Sequence, residues 1–229
     1  SHELRTPLTA MRALIEPLRD GLVKTEEQRQ QIYDVVLRET MRLSRLVNDM
    51  LELSRLQSGT ASLSRSVFAP LPLFNLIHET YSAYAEDYQQ TFVYDVPEDL
   101  PSVWGNPDRT QQVLIVLLDN AFKYTPEGGV VTLSACAEGD VVRVRVRDTG
   151  VGIPAADLPH VFDRFYKVDK SHHSKGTGLG LAIAYEIMKH LGEEMSVTSE
   201  PGQGSCFTFT LHIAQGSAEK TAEPPKAPA

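Results

Sequence analysis

The chain has 229 residues, 41% hydrophobic and 23% charged, with a net charge of −8. That length suits one or two domains with real cores and an ordinary globular composition, and the acidic balance excludes wholesale nucleic-acid binding. No apolar run approaches the ~18 residues a membrane span needs, and no signal peptide is present.

The sequence begins inside a helical pattern, without an initiator Met, and reads as a fragment of a longer protein. Leu4, Leu8, Met11, Ile15, Leu18 and Leu22 recur at spacings of four and three, a seam on one helix face. Pro7 and Pro17 interrupt it, and Asp20-Gly21 ends it. Thr25-Glu26-Glu27-Gln28 is a capping box opening a second, longer helix. There Ile32, Val36, Leu43, Leu46, Met50 and Leu53 continue the seam, with polar Glu39 as the exception, until Gln57-Ser58-Gly59-Thr60 closes it. Such a hairpin carries more apolar stripe than it can cover itself. A second copy, making a four-helix bundle, is the simplest cover; the alternative is packing on the rest of the same chain.

From about residue 66 the pattern changes. Ser66-Val67-Phe68 is a short strand, Leu71–Tyr88 a helix and Thr91–Val96 a strand. Asn106 caps a helix that begins at Pro107 and runs to about Tyr124. Val130–Ala137 and Val141–Arg147 form a hairpin, and Val142, Val144 and Val146 alternating with Arg143, Arg145 and Arg147 give it one buried and one wet face. A loop-rich stretch leads to a helix at Leu179–Leu191, then a hairpin of Glu194–Ser199 and Ser205–Ile213. The fold class is therefore α+β: an N-terminal helical hairpin followed by an α/β sandwich, one mixed sheet with helices on one side. The expected division is 1–60 for the hairpin, 61–213 for the sandwich and 214–229 for a disordered, Ala-, Glu-, Lys- and Pro-rich tail. Cys136 and Cys206 lack metal-type spacing and read as buried, reduced thiols.

Three segments carry candidate chemistry. On the Pro107 helix, Asn120, Lys123 and Tyr124 stand together opposite the core stripe. An amide oxygen suits Mg²⁺, a lysine meets phosphate oxygens, and a tyrosine can lie against a base or sugar; alone, this is equally a solvated helix face. Asp148-Thr149-Gly150-Val151-Gly152-Ile153 follows a strand end, where a carboxylate can accept an adenine amine and Gly150 and Gly152 let backbone approach a flat ring; alone, it is an ordinary turn. Gly176-Thr177-Gly178-Leu179-Gly180 precedes a helix and offers backbone donors to an anion, but its spacing is not the dinucleotide fingerprint. Between the last two lie Phe162-Asp163-Arg164-Phe165-Tyr166-Lys167 and the polar run from Val168 to Lys175, read as a lid over a nucleotide. Its His172-His173 pair has no third ligand at zinc-type spacing.

Taken in order, Ser1-His2-Glu3-Leu4-Arg5-Thr6-Pro7-Leu8, the asparagine helix, Asp-Thr-Gly-Val-Gly-Ile, Phe-Asp-Arg-Phe-Tyr and Gly-Thr-Gly-Leu-Gly-Leu resemble the transmitter portion of a sensor histidine kinase of a two-component system, over residues 1 to about 213. The resemblance implies a dimerisation hairpin before a Bergerat-type ATP fold, which gyrase, the heat-shock protein of ninety kilodaltons and mismatch-repair ATPases share. It implies ATP and Mg²⁺, autophosphorylation on His2, and transfer to an aspartate of a response regulator receiver domain, with phosphatase activity toward that partner as an addition. It implies a homodimer, without nucleic acid, that is the cytoplasmic portion of a membrane-bound bacterial sensor, with no membrane contact in the residues present. By motif position, His2 would accept phosphate, Glu3 orient its proton and Thr6 orient water for the phosphatase reaction. Asn120 would hold Mg²⁺, Lys123 meet phosphate and Tyr124 flank the nucleotide. Asp148 would read adenine, and Gly150, Gly152, Ile153, Phe165, Lys167, Gly176, Thr177, Gly178, Leu179 and Gly180 would shape the pocket.

Two departures stand out. The family's asparagine helix usually carries a further asparagine one turn before the metal ligand, where this chain has Val116. Asn106 stands where aspartate is common and caps equally well. The lid is shorter than many. His2 also lies at a fraying helix end, so autophosphorylation is expected to strengthen when ~10–15 preceding residues are restored. The other readings are an ATP-binding switch or ATPase of the same fold, and a degenerate dimeric scaffold.

Overall fold

A computed structural model of the chain describes residues 2–60, 63–168 and 176–214, with backbone alone for His2 and Glu3. Helix α1, His2–Arg19, runs through Pro7 and Pro17 and turns at Gly21, whose φ of 69° suits only glycine well. Helix α2, Glu26–Gln57, starts where the Thr25 hydroxyl accepts the Gln28 N–H at 3.3 Å, the first half of the capping box. The two helices form an antiparallel hairpin, with the Thr40 hydroxyl 3.3 Å from the Met11 sulfur.

The rest alternates strands and helices: β1 (Ser66–Phe68), α3 (Pro70–Asp87), β2 (Thr91–Asp95), β3 (Val103–Gly105), α4 (Pro107–Tyr124), β4 (Val130–Glu138), β5 (Val141–Asp148), α5 (Gly180–His190), β6 (Met195–Glu200) and β7 (Gly204–His212). The five-stranded sheet has the order β2-β4-β5-β7-β6, with β2 parallel to β4 and the other pairs antiparallel. A second sheet, β1 with β3, is an addition to the single sheet expected from sequence. Its β3, three residues between Pro101-Ser102 and the Asn106-Pro107 helix start, was not read from sequence.

Alternation on the strands sets the layers. Leu133, Val144, Val146, Phe209 and Leu211 are buried beneath the helices α3, α4 and α5. Thr132, Arg145 and Thr208 line the opposite face, where Glu138 binds Arg143 and Arg145 and is held down to about 2 by those bonds. Cys136 and Cys206 are free thiols on that face, half-buried rather than buried.

Along the apolar seam of α2, Ile32, Val36, Leu43 and Met50 are half-buried and the C-terminal end is buried. Leu46, Leu53 and Leu56 are buried in one continuous cluster with α5 and the sheet core, so part of the stripe is covered by the same chain. Leu8, Ile15, Tyr33, Leu37, Met41 and Leu51 stay exposed on the hairpin. Ala214, first of the expected tail, donates its N–H to the Ser102 carbonyl; residues 215–229, and residues 169–175 with His172-His173, lie outside the described residues. No helix among the described residues is long and apolar enough to cross a membrane.

Candidate functional site

Helix α4 is aimed by its first turn. The Asn106 carboxamide oxygen accepts the Arg109 N–H at 2.9 Å, while its amide nitrogen donates to the Ser64 carbonyl at 2.7 Å. Burial of Leu114, Leu117, Leu118 and Ala121 fixes the roll of the helix, so Asn120, Lys123 and Tyr124 face a cavity of about 510 Å³. The Asn120 amide makes no hydrogen bond among the described residues, which leaves its oxygen free for a ligand. Lys123 Nζ donates to the Tyr124 hydroxyl at 2.8 Å and lies 4.4 Å from the centre of that ring.

Opposite α4, strand β5 ends at Asp148, which is only 5% exposed and lines the cavity. Its Oδ1 accepts the Gly150 N–H at 2.8 Å and the Ser205 N–H at 3.2 Å. Both bonds fall on one oxygen, so Oδ2 is left to accept a donor in the cavity. Burial pushes this carboxyl up, and the two backbone bonds pull it partly back. A buried carboxylate with an unused oxygen in an apolar pocket fits an amino group of a flat ligand.

Gly150 and Gly152 also permit a close approach between chain segments, and Gly152 lines the cavity as well. A Cβ on Gly150 would lie 2.3 Å from the Tyr124 carbonyl oxygen, and one on Gly152 2.0 Å from that of Glu200. The glycines thus press the turn against the end of α4 and the β6–β7 turn. Ile153 N–H donating to Ser199 Oγ at 2.8 Å and Gly202 N–H donating to the Val151 carbonyl at 2.8 Å tie the same join. Gly152→Ala is expected to lower the melting temperature and weaken nucleotide binding together. Its φ of 70° alone costs roughly 1–2 kcal/mol for a side chain, before the clash; a thermal melt checks this.

The third wall is the glycine-rich loop. Thr177 Oγ accepts the Leu179 N–H at 3.3 Å just before α5 begins. The free N–H groups of that helix start, with Gly176, Gly178 and Gly180 on the cavity wall, can receive an anion. Phe165 N–H donates to the Gly178 carbonyl at 2.9 Å, with Phe165 itself at φ 62°. Ile153, Lys167 and Thr177 also line the cavity, whereas Gly150, Phe165 and the fully buried Leu179 do not. Thr6 is exposed on α1 and outside the cavity; the side chains of His2 and Glu3 lie outside the description. Sequence reasoning missed Asp119, Ser205 and Phe207 on the walls. The β7 pair carried a signal only in alternation, which names a face and not a neighbour. Val116 lines the cavity and would meet a Cβ on Gly180 at 3.3 Å.

Comparison with known proteins gives two family matches: residues 1–59 match the His Kinase A (phospho-acceptor) domain, and residues 105–215 the histidine kinase-, DNA gyrase B- and HSP90-like ATPase. The sensor histidine kinase WalK of Bacillus subtilis (strain 168) is 40% identical over 215 residues, covering 92% of this chain and 35% of WalK. The chain thus spans about a third of that relative's length. Among solved structures, the histidine kinase AdeS of Acinetobacter baumannii aligns with a TM-score of 0.75 at 25% identity, covering 94% of this chain and 99% of that one. Full-length ShkA in complex with AMPPNP aligns with a TM-score of 0.71 at 32% identity, covering 94% of this chain and 45% of ShkA.

Proposed function

This chain belongs to the sensor histidine kinases of two-component systems, as their transmitter portion, and we propose that the protein phosphorylates itself on His2 from ATP and passes the phosphoryl group to an aspartate of a response regulator. The observation that carries this reading is the Asp148 carboxylate, buried at the cavity with one oxygen unused and facing the free amide of Asn120 across the same space. In this reading the 1–60 hairpin bears the acceptor and the 61–213 sandwich holds the donor.

Asp148 Oδ2 accepts the adenine amine, and Ile153 supports the ring. Lys123 meets the phosphates beside the backbone donors of Gly176, Thr177 and Gly178. Asn120 is the protein's oxygen ligand for Mg²⁺, a donor of the type that ion prefers. Magnesium, when bound, supplies charge neutralisation on the phosphates. A neutral His2 nitrogen attacks the γ-phosphorus in line; the N–P bond forms, the bond to the ADP oxygen breaks, and Glu3 takes the imidazole proton. Thr6 would orient water for the separate phosphatase duty, hydrolysis of the regulator's aspartyl phosphate to aspartate and inorganic phosphate.

The exposed Tyr33, Leu37 and Met41 follow one another at four-residue spacing on α2, an uncovered stripe that suits a second copy of the hairpin. A membrane-anchored parent rests on the family resemblance alone; WalK is longer than this chain. A second reading, a slow ATPase or scaffold, has Val116 in its favour, because valine gives the cavity wall no metal or phosphate ligand.

Nucleotide titration separates these. ATP is expected to bind more tightly with Mg²⁺ than without, and Asn120→Ala to lose at least about tenfold in the Mg²⁺-dependent affinity, since loss even of outer-shell metal partners costs that much. No binding by the unaltered protein favours the scaffold, and phosphate release without a phosphoprotein favours the ATPase.

A further inference from the structure

We propose that Asp49, on α2, is a positioning residue that holds the glycine-rich loop level with the phosphoacceptor turn of α1 during transfer to His2. The inference rests on the kinase reading and extends it to a residue outside the nucleotide cavity.

Asp49 Oδ2 accepts the Thr177 hydroxyl at 2.9 Å. The same hydroxyl oxygen accepts the Leu179 N–H, one residue before α5. A single side chain thus links the hairpin to the helix start that receives an anion. The level of this link along the hairpin follows from register. Met11 and Thr40 touch across the antiparallel pair. Both helices rise by about 1.5 Å per residue, so equal steps from that contact toward the open end set position 2 of α1 beside position 49 of α2.

The link is one of a set on a single stripe of α2. Leu46, Leu53 and Leu56 are buried in the shared core. Glu52 binds Arg109 and accepts Gln112 Nε2 at 3.1 Å, both residues of α4. Gln57 Nε2 donates to Glu186 of α5 at 3.3 Å. Those contacts fix the sandwich on the helix, and Asp49 carries the hydrogen bond from α2 to the loop among the described residues. Burial raises its carboxyl and neighbouring Glu52 raises it further, against the Thr177 bond and Arg45. A half-buried carboxylate is unfavourable to the fold unless it is bonded, and here the loop supplies the bond.

The test is the rate of self-phosphorylation by the 229-residue chain as a function of ATP concentration. Asp49→Ala is expected to lower the rate at saturating ATP about tenfold, the worth of one hydrogen bond to a charged acceptor, with KM for ATP changed less than about twofold. Asp49→Asn keeps an acceptor oxygen and should restore most of the rate. Thr177→Val removes the acceptor of the Leu179 N–H as well and should fall at least as far as Asp49→Ala, and the double variant should fall no further than Thr177→Val alone. A wild-type rate in Asp49→Ala, additive losses in the double variant, or no rescue by Asn overturns the proposal. Absence of any label on the unaltered protein is the separate failure of the kinase reading, and it removes the positioning role as well.

Discussion

Asp148→Asn is expected to weaken ATP binding roughly 100-fold while the ligand-free protein melts at a higher temperature at neutral pH. Oδ1 of an asparagine can still accept the Gly150 and Ser205 N–H groups, so the turn keeps its two anchors. The other position then carries an NH₂ in place of Oδ2, and a donor meets the adenine amine's donor inside an apolar cavity. An unpaired buried donor opposite a lost charged acceptor costs about 3 kcal/mol, which is roughly 100-fold in Kd. Stability moves the other way because the native carboxyl is raised by burial. A raised folded-state pKa means that the group's stabilising contribution is complete below the unfolded carboxyl pKa and is lost as pH rises through the folded value. At pH 7 the ionised Asp148 is therefore a burden on the fold, which the amide lifts. The melting advantage of Asp148→Asn should shrink as pH falls into the carboxyl range. Calorimetric titration gives the first half and melts at two pH values the second; a variant that binds ATP normally contradicts the assignment.

Asp148 was legible in sequence only as a candidate. A carboxylate after a strand, before Gly-x-Gly, is a common turn. What distinguishes it is the pair of N–H groups on one oxygen, and one of those comes from Ser205 on β7, 57 residues away. No local pattern records that neighbour. The glycines show the same limit. A close approach was readable at Gly150 and Gly152, but not that the bare Cα of one meets the Tyr124 carbonyl and that of the other the Glu200 carbonyl.

Elements with a local cause were readable. Asn106-Pro107 fixed the start of α4, Thr25 capped α2, and the Val-Arg alternation gave β5 its two faces. The heptad seam of α2 gave the helix and its apolar face, yet periodicity cannot name what covers a face. Leu46, Leu53 and Leu56 turned out to lie against the same chain's α5 and core, while Tyr33, Leu37 and Met41 remain open. Of the two answers weighed in sequence, the rest of the chain covers the end of the hairpin around Leu46, Leu53 and Leu56.

Replacing the acceptor has the largest effect expected of any substitution. In the proposed reaction the imidazole of His2 supplies the nitrogen that bonds to phosphorus, and a glutamine amide is not nucleophilic enough to replace it. His2→Gln should leave the cavity around Asn120 and Asp148 untouched, so ATP affinity should stay within about twofold while phosphoprotein formation disappears. A phosphoramidate also has its own signature: labile in acid and stable in base. The decisive measurement is incorporation of γ-labelled phosphate from ATP and Mg²⁺ into the unaltered chain and into His2→Gln, followed by acid and base treatment. The account predicts an acid-labile, base-stable label on the unaltered protein and none on the variant. Label that persists in His2→Gln, or that survives acid, contradicts it.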